Sequence, residues 1–281
     1  MIQSIKTVHT GYFKLDGGAM FGVVPKSLWS KLNPPDEQNF CTWSLRCLLI
    51  EMENKRILVD CGMGTKQDDK FRSFFQPHGN TDLVNVLAQD SIMPEDITDV
   101  FLTHLHFDHC GGAVSKDSDG NLFPTFPNAV YWSNERHWDW AINPNERERA
   151  SFLKENFIPL QQQSKIKFIE SDKTYLEWLP GIVIRFSYGH TEAMMTLEME
   201  WNDQKYVYCA DLLPSSFHIG MPYIMAYDVR PLVSLQEKEF LLRQAVDHNH
   251  ILILEHDPIA PAVTVKYDER NRIVMDRIIQ L

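Results

Sequence analysis

Apolar residues recur along this chain in two rhythms. Runs of four to eight, continuous or alternating, predict strands; one longer stretch with helical spacing predicts an amphipathic helix. Residues 2–15, with Ile5, Val8, Tyr12, Phe13 and Leu15, read as one or two opening strands. Asp16 to Gly22 reads as a glycine turn with exposed Met20 and Phe21. Residues 26–40 are loop-like. Residues 43–51 and 55–60 read as a hairpin turning at Glu53-Asn54. Residues 81–89 have helix character, with Thr81 as cap. A strand over 97–102 follows, then a polar loop over 113–127 and a strand over 129–132. Residues 133–163 read as largely helical, broken at Asn143-Pro144 and Pro159; this is the expected insert, rich in aromatics that cover the site or pack on the body. Further strands are predicted at 166–169, 181–187, 194–200, 205–210 and 250–254. Residues 234–247 carry the helical period, and 261–281 add a strand or hairpin. Strands and helices alternate without a convincing linker or repeat. The expectation is therefore one domain, 1–281, of α/β or mixed layered class.

Chemistry concentrates where the 97–102 strand ends. There the chain reads Thr103-His104-Leu105-His106-Phe107-Asp108-His109-Cys110-Gly111-Gly112. Imidazole nitrogens and a carboxylate are donors that a borderline divalent ion such as Zn²⁺ accepts. His104 and His106, two apart, fall on one side of an extended segment. A turn beyond them aims Asp108 and His109 at a second point, and the glycines permit close backbone approach. Four more residues stand where apolar strands end: Asp60, His190, Asp211 and His256. Strand ends converge on one edge of a sheet, so residues distant in sequence meet there. The whole set is large enough for two metals.

Composition narrows the partners. The chain has 281 residues, with 27 basic against 38 acidic and a formal charge of −11. With no basic run, nucleic acid is not an expected partner. No apolar run approaches the roughly 18 residues of a membrane span. Lys6, His9, Lys14 and Asp16 interrupt any leader-like core, so a cytoplasmic protein is expected. The five cysteines include no C-x-x-C pair and read as reduced thiols. Cys110 reads as a small buried neighbour of the metal motif.

Taken together, D-C-G-M-G at 60–64, H-L-H-F-D-H at 104–109, G-H-T at 189–191, A-D at 210–211 and H-D at 256–257 resemble the metallo-β-lactamase superfamily, in its motif order. The resemblance implies an α/β four-layer αβ/βα sandwich: two mixed β-sheets flanked by helices. It implies that His104, His106 and His190 hold one metal, that Asp108, His109 and His256 hold another, and that Asp211 bridges them. Asp60 matches a position that orients ligands. Zinc is the first expectation, with Mn, Fe or Co as other occupants of such a site.

Within the superfamily the chain is most similar to N-acyl-homoserine lactonases, the quorum-quenching group, and related esterases. H-F-D-H-C-G-G, Asp211-Leu212-Leu213-Pro214 and the G-G-A-M-F-G of 17–22 carry that likeness. It implies a metal-bridging hydroxide attacking the acyl carbon of a small ester or lactone, with Asp108 or Asp211 relaying the proton to the leaving group. The rival chemistries are a glyoxalase II-like thioesterase, a phosphoester hydrolase and, from a different class, a non-catalytic metal-binding protein. The lactonases it resembles are often dimers, so a homodimer is expected. The chain departs from them at Pro214, where they often carry an oxyanion-stabilising Tyr. His218, Tyr223 and Tyr227 are the substitutes considered, and Met20, Phe21, His218 and Tyr223 are the expected pocket residues.

Overall fold

Along the chain, strand β1 (Ile2–Asp16) runs into two short helices, α1 (Gly17–Phe21) and α2 (Lys26–Trp29), in a computed structural model that describes residues 1–281. Strands β2 (Phe40–Met52) and β3 (Lys55–Val59) form the expected hairpin. Helices α3 (Asp69–Phe75) and α4 (Leu83–Gln89) lead to β4 (Asp99–Phe101) and the one-turn helix α5 (Phe107–Cys110). A small hairpin, β5 (Val114–Lys116) with β6 (Leu122–Pro124), precedes β7 (Val130–Asn134), α6 (Glu135–Ile142), α7 (Ile158–Gln162) and β8 (Ile166–Ile169). The remainder is β9 (Tyr175–Leu179), β10 (Ile182–Ser187), β11 (Met194–Trp201), β12 (Gln204–Tyr208), α8 (Pro231–Asp247), β13 (Ile251–Ile253), β14 (Ala262–Tyr267) and β15 (Ile273–Ile279).

The chain divides into two compact units: residues 1–12 with 45–174, and residues 13–44 with 175–281. The first unit is built on a sheet in the order β1-β2-β3-β4-β7-β8. Its β3, β4, β7 and β8 run parallel, and helical segments make the crossovers that parallel pairing requires. The centre of this sheet is buried on both faces, which is why residues 57–59 of β3 and 100–101 of β4 are apolar without alternation. Leu83 and Leu87 of α4, Trp138 and Ala141 of α6, and Leu160 of α7 close its core with Leu58, Val100, Leu102 and Tyr131.

The second unit is built on a sheet in the order β15-β14-β13-β12-β11-β10-β9. It is antiparallel except for β12 beside β13, and α8 is the crossover between those two. Burial at 234, 238, 241, 242 and 245 follows the helical period, so α8 turns one stripe inward and packs on β14 and β15.

Three local expectations are corrected. Asp82, not Thr81, caps α4: its carboxylate accepts from the Val84 and Asn85 amides, and an ionised acceptor at a helix N-terminus is the stronger cap. The 113–127 loop contains the β5–β6 hairpin. Residues 17–21 form a helical turn, with Asp16 accepting from the Ala19 amide, and Met20 and Phe21 are 1% and 0% exposed rather than displayed. No helix is long and apolar enough to cross a membrane.

Candidate functional site

In the first unit, the metal motif begins just past the C-terminal end of β4. His104 and His106 lie in the irregular stretch after it, while Asp108 and His109 stand on α5. All four side chains are buried, and Asp60, which follows β3 and is itself fully buried, supports His109 directly and His104 through Thr103. Asp60 accepts from the Thr103 amide at 2.8 Å and the Thr103 hydroxyl at 2.7 Å, and lies 3.1 Å from His109 Nδ1. Because the Thr103 hydroxyl gives its proton to Asp60, its oxygen accepts from His104 Nδ1 at 3.1 Å. One carboxylate thus fixes two imidazoles, and in both rings Nε2 is the nitrogen presented outward.

His106 turns the other way. Its Nδ1 lies 3.0 Å from His104 Nε2, and its Nε2 lies 3.5 Å from a Glu148 carboxylate oxygen. Glu148 is 3% exposed and held by the Trp140 indole at 2.8 Å and by the Asn145 amide. Both come from the aromatic insert, which in this way does more than pack. The insert also steadies the motif's backbone: the Leu105 amide donates to His137 Nε2 at 2.9 Å, and the Phe107 amide donates to the Ser151 carbonyl at 2.9 Å.

The motif docks on the D-C-G-M-G loop through amide bonds from Cys61 to the His109 carbonyl, and from Gly112 to the Gly62 carbonyl. A Cβ at Gly111 would sit 2.0 Å from the Met63 carbonyl oxygen, so only glycine permits this approach. Burial pushes the Cys110 thiol up to about 12, and it donates to the Leu105 carbonyl. It is a neutral packing residue, as its position beside a complete donor set led us to expect.

In the second unit, Asp211 is the centre. Its two carboxylate oxygens are divided between two imidazoles: Oδ2 is 3.1 Å from His190 Nε2, and Oδ1 is 3.1 Å from His256 Nε2. The far nitrogens are again occupied. His190 Nδ1 meets Asp228 at 2.9 Å, and His256 Nδ1 donates to the Ser44 carbonyl at 2.9 Å. Burial opposes charge on His190, but Asp211 and Asp228 outweigh it and hold the imidazole up at about 10. Two buried carboxylates therefore demand positive charge at this point. Asp211 is aimed by an unusual backbone: Ala210 adopts φ 45°, a left-handed conformation that costs a residue with a Cβ about 1–2 kcal/mol.

These donors suit a divalent ion. Zinc–nitrogen bonds of about 2.0–2.1 Å at a tetrahedral angle place neighbouring donors roughly 3.3 Å apart. The observed 3.0 Å between His104 Nε2 and His106 Nδ1 and 3.1 Å from Asp211 to each of its imidazoles are close to that spacing. His104, His109, His190 and His256 have the second nitrogen hydrogen-bonded to a protein acceptor or a hydroxyl, and His106 turns its own towards Glu148, an arrangement that selects the tautomer a metal ligand needs.

The expected pocket residues belong to the second unit. Phe21 stacks on Trp29 and on His218, at centroid distances of 5.2 and 5.0 Å, and meets Tyr223 edge-on at 6.1 Å. His218 accepts from the Ser215 hydroxyl at Nδ1 and donates to the Met20 carbonyl at Nε2, at 2.7 and 2.9 Å. Burial pulls it down to about 3. With both nitrogens engaged, a neutral His218 is not placed to substitute for the missing Tyr. Tyr223 stays partly exposed, and Tyr227 is 37% exposed. Asp228 and Glu148 are the supporting residues that sequence reasoning missed, and Thr103 was named with the motif but given no role. The first two lie in loops, and only the fold brings them to an imidazole.

With this geometry in hand, the chain matches the family profile described as Metallo-beta-lactamase superfamily over residues 46–256. It belongs to the metallo-β-lactamase superfamily, and it is an enzyme of that superfamily's metal-dependent hydrolase class. N-acyl homoserine lactonase AiiA of Bacillus thuringiensis subsp. kurstaki is 27% identical over 204 residues, covering 69% of this chain and 71% of the relative. The structure of a probable metal-dependent hydrolase from Staphylococcus aureus matches with a TM-score of 0.86 at 29% identity, covering 98% of each chain. AidC, a dizinc quorum-quenching lactonase solved with a product, matches with a TM-score of 0.79 at 20% identity, over 100% of this chain and 98% of that one. At that identity the last likeness speaks for the fold alone.

Proposed function

We propose that this enzyme is a dinuclear metal-dependent lactonase or carboxylesterase acting on small acyl substrates. The observation that carries the reading is Asp211, which turns one oxygen to His190 and the other to His256 at equal distances. A carboxylate divided in this way would help to hold divalent ions beside both imidazoles. The superfamily's motif order supports His104, His106 and His190 as ligands of one ion and Asp108, His109 and His256 as ligands of the other. Bound there, divalent ions, zinc first among them, supply Lewis acidity and bring the pKa of water towards neutrality.

The chain's own residues do the rest. Asp60, through Thr103 and directly, keeps His104 and His109 in the tautomer that presents Nε2. Asp228 does the same for His190, and the Ser44 carbonyl for His256. Asp108, at the start of α5, is the side chain we assign to carry a proton to the leaving alkoxide. The lactone substrate is proposed from the named relatives, since N-acyl homoserine lactonases share a quarter of their residues with this chain over most of its length.

Metal removal tests the reading. Chelator-stripped enzyme should lose ring opening of acyl lactones and cleavage of aryl esters. Restoring two equivalents of zinc, manganese or cobalt should return it. Glutathione thioesters and aryl phosphates run in parallel separate the neighbouring chemistries. Metal-loaded protein that turns over no lactone and no aryl ester would overturn the proposal.

A further inference from the structure

Lys238 lies on the buried stripe of α8, between Ser234 and Leu241, with no exposed surface at all. A lysine there is anomalous, because a buried ammonium is stable only where protein dipoles replace its water. Four backbone carbonyls do so. Nζ donates to His218, Gly220, Met221 and Tyr223 oxygens at 3.0, 3.0, 3.1 and 2.8 Å. All four come from one six-residue stretch, which curls its oxygens around a single point. An ammonium has three N–H donors and a neutral amine only two, so four converging acceptors match the charged form. Burial draws Lys238 down to about 7, and nearby Asp228 acts in the opposite direction.

A 3-10 turn over Ser216–His218 leads into that stretch, and a turn within it is closed from the Tyr223 amide to the Gly220 carbonyl. The Tyr223 ring lies against Gly220, where a Cβ would approach it to 2.9 Å. From this loop, His218 reaches the Met20 carbonyl, and the Ala226 amide just beyond it reaches the Ala19 carbonyl, so helix α1 is tied to the same loop. Phe21 is then sandwiched between Trp29 and His218. Fixing the carbonyl cage fixes Tyr223 directly, and Met20 and Phe21 through His218.

We propose that Lys238 is a positioning residue: its ammonium acts as a tethered cation inside the 218–223 carbonyl cage and holds the loop and helix α1 in the form that recognises the substrate's acyl part. The substrate half of this inference rests on the lactonase reading above; the placement of the loop does not. A side chain that only filled the helix stripe would be replaceable by any apolar group of its length. A tethered cation is replaceable only by another cation that donates hydrogen bonds.

Two variants separate these roles, Lys238→Met and Lys238→Ala. Each is measured for fold by circular dichroism, for metal content, for tryptophan emission and for KM against kcat on lactone and aryl ester. Leaving the carbonyls unpaired should raise KM about ten-fold in both, with kcat and metal content little changed. Emission should shift, because Trp29 stacks on Phe21 and Trp43 lies 5.8 Å from His218. In Lys238→Ala, methylammonium should return both readouts towards wild type, whereas tetramethylammonium at equal ionic strength should not. Wild-type KM and emission in a folded Lys238→Met would overturn the proposal. So would a folded Lys238→Ala deaf to methylammonium, or failure of both variants to fold, which would make Lys238 a general folding residue. If wild-type enzyme cleaves no ester, the lactonase reading fails, and emission with methylammonium still decides the role of Lys238.

Discussion

A histidine binds a metal only through a nitrogen that carries no proton, so the group facing its other nitrogen decides which one is offered. In this protein those groups differ: Asp60 for His109, Thr103 backed by Asp60 for His104, Glu148 for His106, Asp228 for His190, and a main-chain carbonyl for His256. Asp228 offers the cleanest test, because it touches His190 and precedes α8 without belonging to the metal motif. Asp228→Ala should leave the fold intact and lower metal affinity by about 10–100-fold, read by competition with a chromogenic chelator. Unchanged affinity would mean that His190 is not held for a metal. The candidate ligands were legible in the sequence because their spacing and their place after apolar runs are local signals. Asp228 and Glu148 were not, because neither belongs to a spaced motif or ends an apolar run, and only tertiary folding brings each to its imidazole.

At the level of elements, the first unit's histidine cluster stands on a docked pair: helix α5 with the glycines after it, and the loop after β3. Gly111 is the point of closest approach, and its left-handed neighbour across the contact is Gly64, with φ 70°. Gly111→Ala drives a methyl group into the Met63 carbonyl, so one of the two segments must shift. The expected cost is about 1–3 kcal/mol in urea unfolding, with metal content reduced because His109 shares the helix. A variant as stable and as metal-loaded as wild type would contradict this packing. The elements themselves were legible to different degrees. Strand β13 and the apolar ends of β3 and β4, residues 57–59 and 100–101, stand out because burial on both faces leaves them without alternation, and α8 stands out by its period. The hairpin β5–β6 stayed hidden, since three-residue strands with exposed positions carry neither signal. Lys238 drew no notice in the sequence, although its spacing from Ser234 and Leu241 places it on the buried stripe of α8. Met20 and Phe21 were misread because glycines usually announce a surface turn, whereas here Gly17 packs against the Trp29 ring.

Over the whole molecule, acid should be the destabilising direction well before the carboxylates titrate. Each unit holds a histidine whose surroundings favour the neutral form, half-buried His9 in the first and buried His218 in the second. Burial, with help from Arg46, lowers His9 to about 4 in the first, and burial lowers His218 to about 3 in the second. Unfolded histidine accepts its proton near pH 6.5. Between that value and the folded ones, the unfolded chain binds more protons than the native protein, so stability rises with pH and falls on acidification. The contribution is fully present above about pH 6.5 and is lost progressively as pH drops towards about 4 for His9 and lower for His218. Carboxylates held below their usual range by lysine or arginine partners, such as Asp36 by Lys14 and Asp268 by Arg272, lose their share only further down. The melting temperature of chelator-treated protein, in which metal release plays no part, should therefore decline steadily through this window. His9→Gln cannot take up the proton and should flatten part of that slope while leaving the metal ligands untouched. A profile of identical slope in His9→Gln would show that His9 titrates alike in the folded and unfolded chain, and would assign the acid sensitivity to other groups.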